Sequence, residues 1–315
     1  MQQALNWLAA KGTIILPVSL LLGLFWQDLA ALARPMLTPT VFFMLAVLMT
    51  RVDMDDALAH LRRPFIPIIG LIWAVVIMPL VFAAALWLLG NGAGIWFSGG
   101  LVLALFFWAS SPPIFSSAPL SYIMRLDGTL SVGFLLAAIA LHPIVTPFYT
   151  GLFTGGTVSI SPFELGWRLA LLIGGAALCA LGARAWLGRE KLRKFGPAMD
   201  GLNVVGMVIF ALAIMDGIAD RLLENPLYAA WLTVFVFCLS LVVHAVTTAL
   251  FWRSGKRRAL TIGFSTGGRN IAMAVGALGA SVPSDTWLFF AIIQFPIYIL
   301  PAMLLPIYNR LLPNR

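Results

Sequence analysis

Apolar runs recur along the whole chain, separated by short charged or Pro/Gly-rich stretches. A helix needs roughly 20 apolar residues to cross the hydrocarbon core of a bilayer. By that measure the pattern predicts ten spans, at 12–32, 36–50, 65–90, 96–124, 129–152, 163–187, 199–219, 228–252, 259–281 and 286–311. The runs are continuously apolar rather than alternating with period two, which predicts helices and excludes a transmembrane β-barrel. The second span is short, and the fourth and ninth contain breaks.

Those breaks stand in matching places. The fourth span holds Ser110-Ser-Pro-Pro-Ile-Phe-Ser-Ser-Ala-Pro119, and the ninth holds Gly263-Phe-Ser-Thr-Gly-Gly-Arg-Asn270. Each is followed by a proline-punctuated span, with His142-Pro143 and Pro147 in one half and Pro296, Pro301 and Pro306 in the other. Five spans per half is an odd number, so the second half is inverted relative to the first. The expected architecture is an all-α polytopic membrane protein, ten transmembrane helices in two inverted five-helix repeats, with helices 4 and 9 interrupted and crossing near the midplane. Residues 1–155 form the first repeat and 156–315 the second, within a single membrane domain. Interrupted segments at corresponding positions of two inverted halves point to a transporter's binding site.

Composition narrows the class further. The chain is 61% hydrophobic and 10% charged, whereas about 25% of residues are charged in a soluble domain. Its net charge of +8 suggests nucleic acid until the charges are placed. With both termini inside, the inner segments around Lys11, Arg51 to Arg63, Arg125, Arg184 to Lys194, Arg253 to Arg258, Arg310 and Arg315 gather sixteen of the 20 basic residues. Arg34, Arg168 and Arg221 fall outside. This is the positive-inside bias of a cytoplasmic face lying on anionic lipid. It predicts a bacterial inner-membrane protein whose partners are the bilayer and a small solute, with no nucleic acid. The N-terminus lacks a basic n-region, so the first span is expected to be uncleaved. Cys179 and Cys238 lie mid-span and read as buried, inert thiols.

Arg269 is the charge left inside the membrane. An arginine at the bilayer centre costs roughly 2.5–3.5 kcal/mol on insertion scales. It either binds an anion, pairs with an internal carboxylate, or snorkels to the interface. Asp216, near the outer end of the seventh span, is the one carboxylate placed in hydrocarbon; it reads either as a proton carrier or as an interfacial cap beside Asp220 and Arg221. His244 reads either as an interhelical hydrogen-bond partner or as a titrating group. Ser110, Ser116, Ser117, Ser265, Thr266 and Asn270 offer neutral polar groups at the breaks. They line a binding site or satisfy freed backbone groups. No cluster has the spacing of a catalytic site, a metal site or a nucleotide loop, so neither an enzyme nor a cofactor is expected.

The chain resembles the bile acid:sodium symporter family over most of its length. The resemblance rests on the span pattern, the turn Met49-Thr-Arg-Val-Asp-Met-Asp-Asp-Ala-Leu58, and the Ser/Pro break followed by Leu120-Ser-Tyr-Ile-Met-Arg-Leu-Asp-Gly-Thr-Leu-Ser131. It rests also on the ninth-span segment ending Gly267-Gly-Arg-Asn270. It implies a panel and a core of spans that move relative to each other, and organic-anion cargo coupled to sodium.

The sodium positions depart from the family pattern. Where the family has Glu-x-Gly-x-Gln-Asn, this chain has Ser265 and Arg269 around the matching Gly267 and Asn270. The fourth-span Ser-Asn pair becomes Ser117-Ala118. Ser131 matches, but a later threonine becomes Leu135 and a third-span glutamine becomes Ala74. Two unit charges 4 Å apart repel by about 4 kcal/mol at an effective dielectric of about 20. A sodium ion beside Arg269 would bind poorly. The expectation is an alternating-access secondary transporter of an organic anion in which the guanidinium takes over sodium's electrostatic role. The alternatives are an ordinary sodium:organic anion symporter and a non-transporting membrane sensor.

Overall fold

A computed structural model describes residues 2–51, 65–153, 161–279 and 282–312. The basic residues Arg62, Arg63 and Arg315, and most of the turn from Val52 to Leu58, lie outside the described residues. Among the described residues the chain is helical, with one isolated β-bridge in place of any strand.

Helix α1 (Gln2–Phe25) leads into α2 (Gln27–Ala33), which continues through a 3₁₀ turn at Arg34–Met36 into α3 (Leu37–Arg51). The second span is therefore not short: it runs from Gln27 to Arg51. Arg34-Pro35 looks like a boundary in sequence, yet proline is tolerated in the first turn of a helix, where its missing N–H is not needed. The first helix likewise starts well before residue 12.

Next come α4 (Phe65–Ile72), a π-helical turn (Trp73–Ile77) and α5 (Met78–Ala93), which stops at left-handed Gly94. Helices α6 (Gly99–Ser110) and α7 (Ser117–Ile123) flank the first break, and α8 (Gly128–Phe153) follows. Helix α9 (Pro162–Ile214) kinks at Gly188 and leads to the short α10 (Ile218–Glu224) and then α11 (Pro226–Leu250). Helices α12 (Lys256–Gly267) and α13 (Ala272–Leu278) flank the second break, and α14 (Ser284–Ile292) and α15 (Gln294–Leu311) complete the described chain.

Local chemistry sets these boundaries. Ser98, Ser161 and Asn225 accept from backbone N–H groups three residues on, and Pro162 and Pro226 stand at the first helical position. Such caps satisfy amides that a helix start leaves without partners. Seven helical stretches among the described residues are long and apolar enough to cross a membrane: Gln27–Arg51, Phe65–Ala93, Gly128–Phe153, Pro162–Gly188, Lys194–Ile214, Pro226–Leu250 and Ser284–Leu311. Their outward faces carry large apolar side chains such as Phe163, Trp186 and Leu227, each more than four-fifths exposed. That surface suits lipid rather than water. Cys179 and Cys238 are free and lie on exposed faces, not buried as expected.

Helices α1 and α3 each pack closely on α9. Helix α12 packs on α11 through Gly263 and Gly267, one helical turn apart. A Cβ at Gly267 would lie 2.9 Å from both the Ser240 carbonyl oxygen and the His244 Cβ. Small residues four apart let two backbones approach within a membrane. This contact fixes where the second break sits.

Candidate functional site

The two breaks meet. Helix α6 ends at Ser110 because Pro112 and Pro113 follow. Proline supplies no amide and disfavours helical geometry in the residue before it, and Ser111 is extended. Helix α12 ends where Gly268 turns extended. The two freed strands of backbone then pair antiparallel. Ile114 N–H donates to the Gly268 carbonyl at 3.0 Å, and Asn270 N–H donates to the Pro112 carbonyl at 2.8 Å.

Arg269 lies in this crossing, fully buried. Its guanidinium donates to three backbone carbonyls: Nε to Thr266 at 2.7 Å, Nη1 to Ser111 at 2.7 Å and Nη2 to Ala74 at 3.0 Å. Each carbonyl has lost its helical partner. The amide of Asn270, which would ordinarily reach Thr266, is turned to Pro112. Ser111 lies beyond the last turn of α6. Ala74 lies in the π-turn, where the Met78 amide bonds to Trp73, five residues back. The same winding aims the Ala74 carbonyl at position 79, a proline with no N–H to give. The helical C-termini also carry partial negative charge. A cation is the natural filling for such a place, and here the chain supplies its own.

The partners of Arg269 are carbonyls from three segments, not a carboxylate. Asp216 is bound elsewhere. It sits on the turn after α9, not deep in the span, and accepts from Arg34 Nη1 at 2.6 Å. His244 is an interhelical partner. Its ring is stacked on Tyr308 and its Nε2 hydrogen-bonds the Tyr308 hydroxyl.

The other polar residues divide into two sets. Ser116 and Asn270 line a small cleft together with Met44, Phe115, Met207, Phe210, Gln294 and Tyr298. Ser110, Ser117, Ser265 and Thr266 are buried behind it. Ser110 Oγ donates to the Phe106 carbonyl at 2.7 Å and receives Thr146 Oγ1 at 2.9 Å. Ser265 Oγ lies 3.4 Å from Ser131 Oγ. The hydroxyls of Ser117 and Thr266 are buried with no hydrogen-bond partner. At the other altered positions, Leu135 is buried in the apolar core and Ala118 lies in the first turn of α7. Asn270 Oδ1 also accepts from Ala272 N–H at 2.9 Å, at the start of α13.

Sequence reasoning missed the π-turn, although Pro79 signals it. It also missed Gln294, a lone amide in an apolar span and hence readable. Met44, Phe115 and Met207 are ordinary apolar residues that no pattern singles out as cleft-lining.

A model of the sodium bile acid symporter family matches residues 38–225. The chain belongs to that family. It is a multi-pass membrane transporter and not an enzyme. Over 235 residues it is 23% identical to YocS of Bacillus subtilis (strain 168), named as an uncharacterized sodium-dependent transporter, covering 73% of this chain and 71% of that one. The family match takes in the first break and ends before the second.

Proposed function

We propose that this transporter moves an organic anion by alternating access, with the cargo held in the Ser116–Asn270 cleft, and that it does so without a sodium gradient. The observation that carries the reading is the placement of Arg269. Its three carbonyl partners are the sort of oxygen set that a sodium ion would need, and a guanidinium fills it. A second cation there meets repulsion of about 4 kcal/mol at 4 Å and an effective dielectric of about 20. Arg269 is not among the residues that line the cleft. It acts on the anion through its field and by holding the crossing in shape. Contact falls to Ser116, Asn270, Gln294 and Tyr298, amid methionine and phenylalanine side chains suited to an amphipathic body.

In this reading α1 and the interrupted pairs α6–α7 and α12–α13 also cross the membrane, giving ten crossings in two inverted halves, 1–155 and 156–315. The basic segments face the cytoplasm of a bacterial inner membrane, with both termini inside.

The test is uptake of bile acids and smaller carboxylates into proteoliposomes, with and without a sodium gradient. Equal uptake supports the proposal. Sodium-stimulated uptake favours the second reading, an ordinary sodium:anion symporter, which the name of the Bacillus subtilis relative supports. In that case Ser131 and Ser265, whose oxygens are 3.4 Å apart, are the first ligands to examine.

A further inference from the structure

Four polar side chains line the cleft: Ser116 and Asn270 from the two breaks, and Gln294 and Tyr298 one turn apart at the start of α15. Backbone groups fix how the two carboxamides are turned. The Ala272 N–H can only donate, and it donates to Asn270 Oδ1 at 2.9 Å. The Phe290 carbonyl can only accept, and it accepts from Gln294 Nε2 at 3.2 Å. The ends left over are therefore chemically opposite. Asn270 keeps Nδ2, a donor, and Gln294 keeps Oε1, an acceptor. Asn270 is only 7% exposed and Gln294 4%, yet neither leftover end has a hydrogen-bond partner among the described residues.

Buried polar groups normally have their hydrogen bonds met. Two carboxamides in one cleft, each anchored at one end and open at the other, are the marks of a surface that recognises something. What they recognise follows from their polarity. A carboxylate only accepts. Asn270 Nδ2 and the hydroxyls of Ser116 and Tyr298 can donate to it. Gln294 Oε1 cannot, and a carboxylate beside it would displace water from that oxygen and return no hydrogen bond. The oxygen needs a hydroxyl or an N–H. The charge of Arg269 lies on the crossing side, next to Asn270 in the chain. The acid belongs on that side and the donor at α15. Met44, Phe115, Met207 and Phe210 supply an apolar lining for the body that joins them.

We propose that Gln294 determines specificity: it makes the cleft select an organic anion that also carries a hydroxyl or an amide N–H. That group donates to Gln294 Oε1, while the acid accepts from Asn270 Nδ2 and Ser116 Oγ. A site built to hydrogen-bond a hydroxyl or N–H rejects the analogue lacking it, because the buried partner is then left unmet. A plain alkanoate or arylalkanoate is a poor ligand for this cleft.

The inference rests on the cleft holding the anion, and one experiment separates the two. Three acids share a common body: 3-phenylpropionate, 3-phenyllactate, which adds a hydroxyl, and N-acetylphenylalanine, which adds an amide N–H. Their binding to the purified protein in detergent is measured by calorimetric titration. The parent should bind the second and third about tenfold or more tightly than the first. In Gln294→Met, similar in length but without the oxygen, that preference should shrink to about twofold or less, with 3-phenylpropionate binding as well as before. Equal weakening of all three acids would mean that Gln294 only supports the fold, and it overturns the proposal. So does a parent that binds the three alike, a comparison that needs no variant. Asn270→Asp keeps Oδ1 for Ala272 and places a negative charge at the acid's end, so it should weaken all three acids by about tenfold or more. The uncharged methyl ester of 3-phenyllactate tests the underlying reading. If it binds as tightly as the acid and loses affinity in Gln294→Met, the role of Gln294 stands and the anion reading falls. If the acids bind and the added hydroxyl or N–H makes no difference, the anion reading stands and the inference falls. A parent that binds none of the four compounds overturns both.

Discussion

Arg269 donates to the carbonyl of Ser111 at 2.7 Å, joining the ends of two broken helices that lie 158 residues apart in sequence. One side chain closes the gaps in α6, α12 and the π-turn together. The crossing is therefore braced from within the chain.

Removing that brace should cost stability first. Arg269→Gln can replace one of the three hydrogen bonds and leaves two buried carbonyls unpaired, at ~1–2 kcal/mol each. A loss of about 2–4 kcal/mol is expected, read as a lower melting temperature and folded yield in detergent. A variant that melts like the parent would mean the guanidinium is dispensable to the fold.

Restoring the family's residues should restore an ion. Ser265→Glu/Arg269→Gln recreates the Glu-x-Gly-x-Gln-Asn pattern. Its melting temperature is expected to rise with sodium chloride and not with choline chloride, since a ligand that binds the folded state stabilises it. The parent should respond equally to both salts. A parent stabilised by sodium alone would remove the case for Arg269 as its substitute.

The proline at position 79 should be coupled to Arg269. Pro79→Ala supplies an amide that the Ala74 carbonyl can accept from, so Arg269→Gln should be less damaging in that background. A double-mutant cycle on chemical unfolding should return a coupling of ~0.5–3 kcal/mol, the range for residues sharing one network. Additive effects would show that the two are independent.

Gly267→Val should disrupt the approach of α12 to α11. Its Cβ alone lies 2.9 Å from the Ser240 carbonyl oxygen and the His244 Cβ. Overpacking of this kind costs typically 1–3 kcal/mol. Cross-linking of cysteines at the crossing should fall along with the melting temperature.

Asp216→Asn should leave the pH profile of uptake unchanged. The carboxylate is committed to Arg34 on a partly exposed turn, where a pair is worth about 1 kcal/mol or less. A shifted profile would return Asp216 to the transport pathway.

The sequence alone determined the class, the discontinuous helices and the residue at their centre. Charge scarcity, apolar periodicity and Pro/Gly punctuation are local properties, and hydrocarbon makes each of them decisive, because an unmet backbone group has no water to turn to. The span limits near Arg34 were misread because the charge looked like an end, whereas the helix passes through it.

Only the tertiary structure decided what Arg269 holds. A buried guanidinium can take a carboxylate, an anion or carbonyls at similar distances. Which one it takes depends on the ends of three segments folding to one point. The same holds for Asp216, whose partner Arg34 is 182 residues away. The cleft walls at Met44 and Met207 carry no signal along the chain, since an apolar residue facing cargo reads the same as one facing lipid or core.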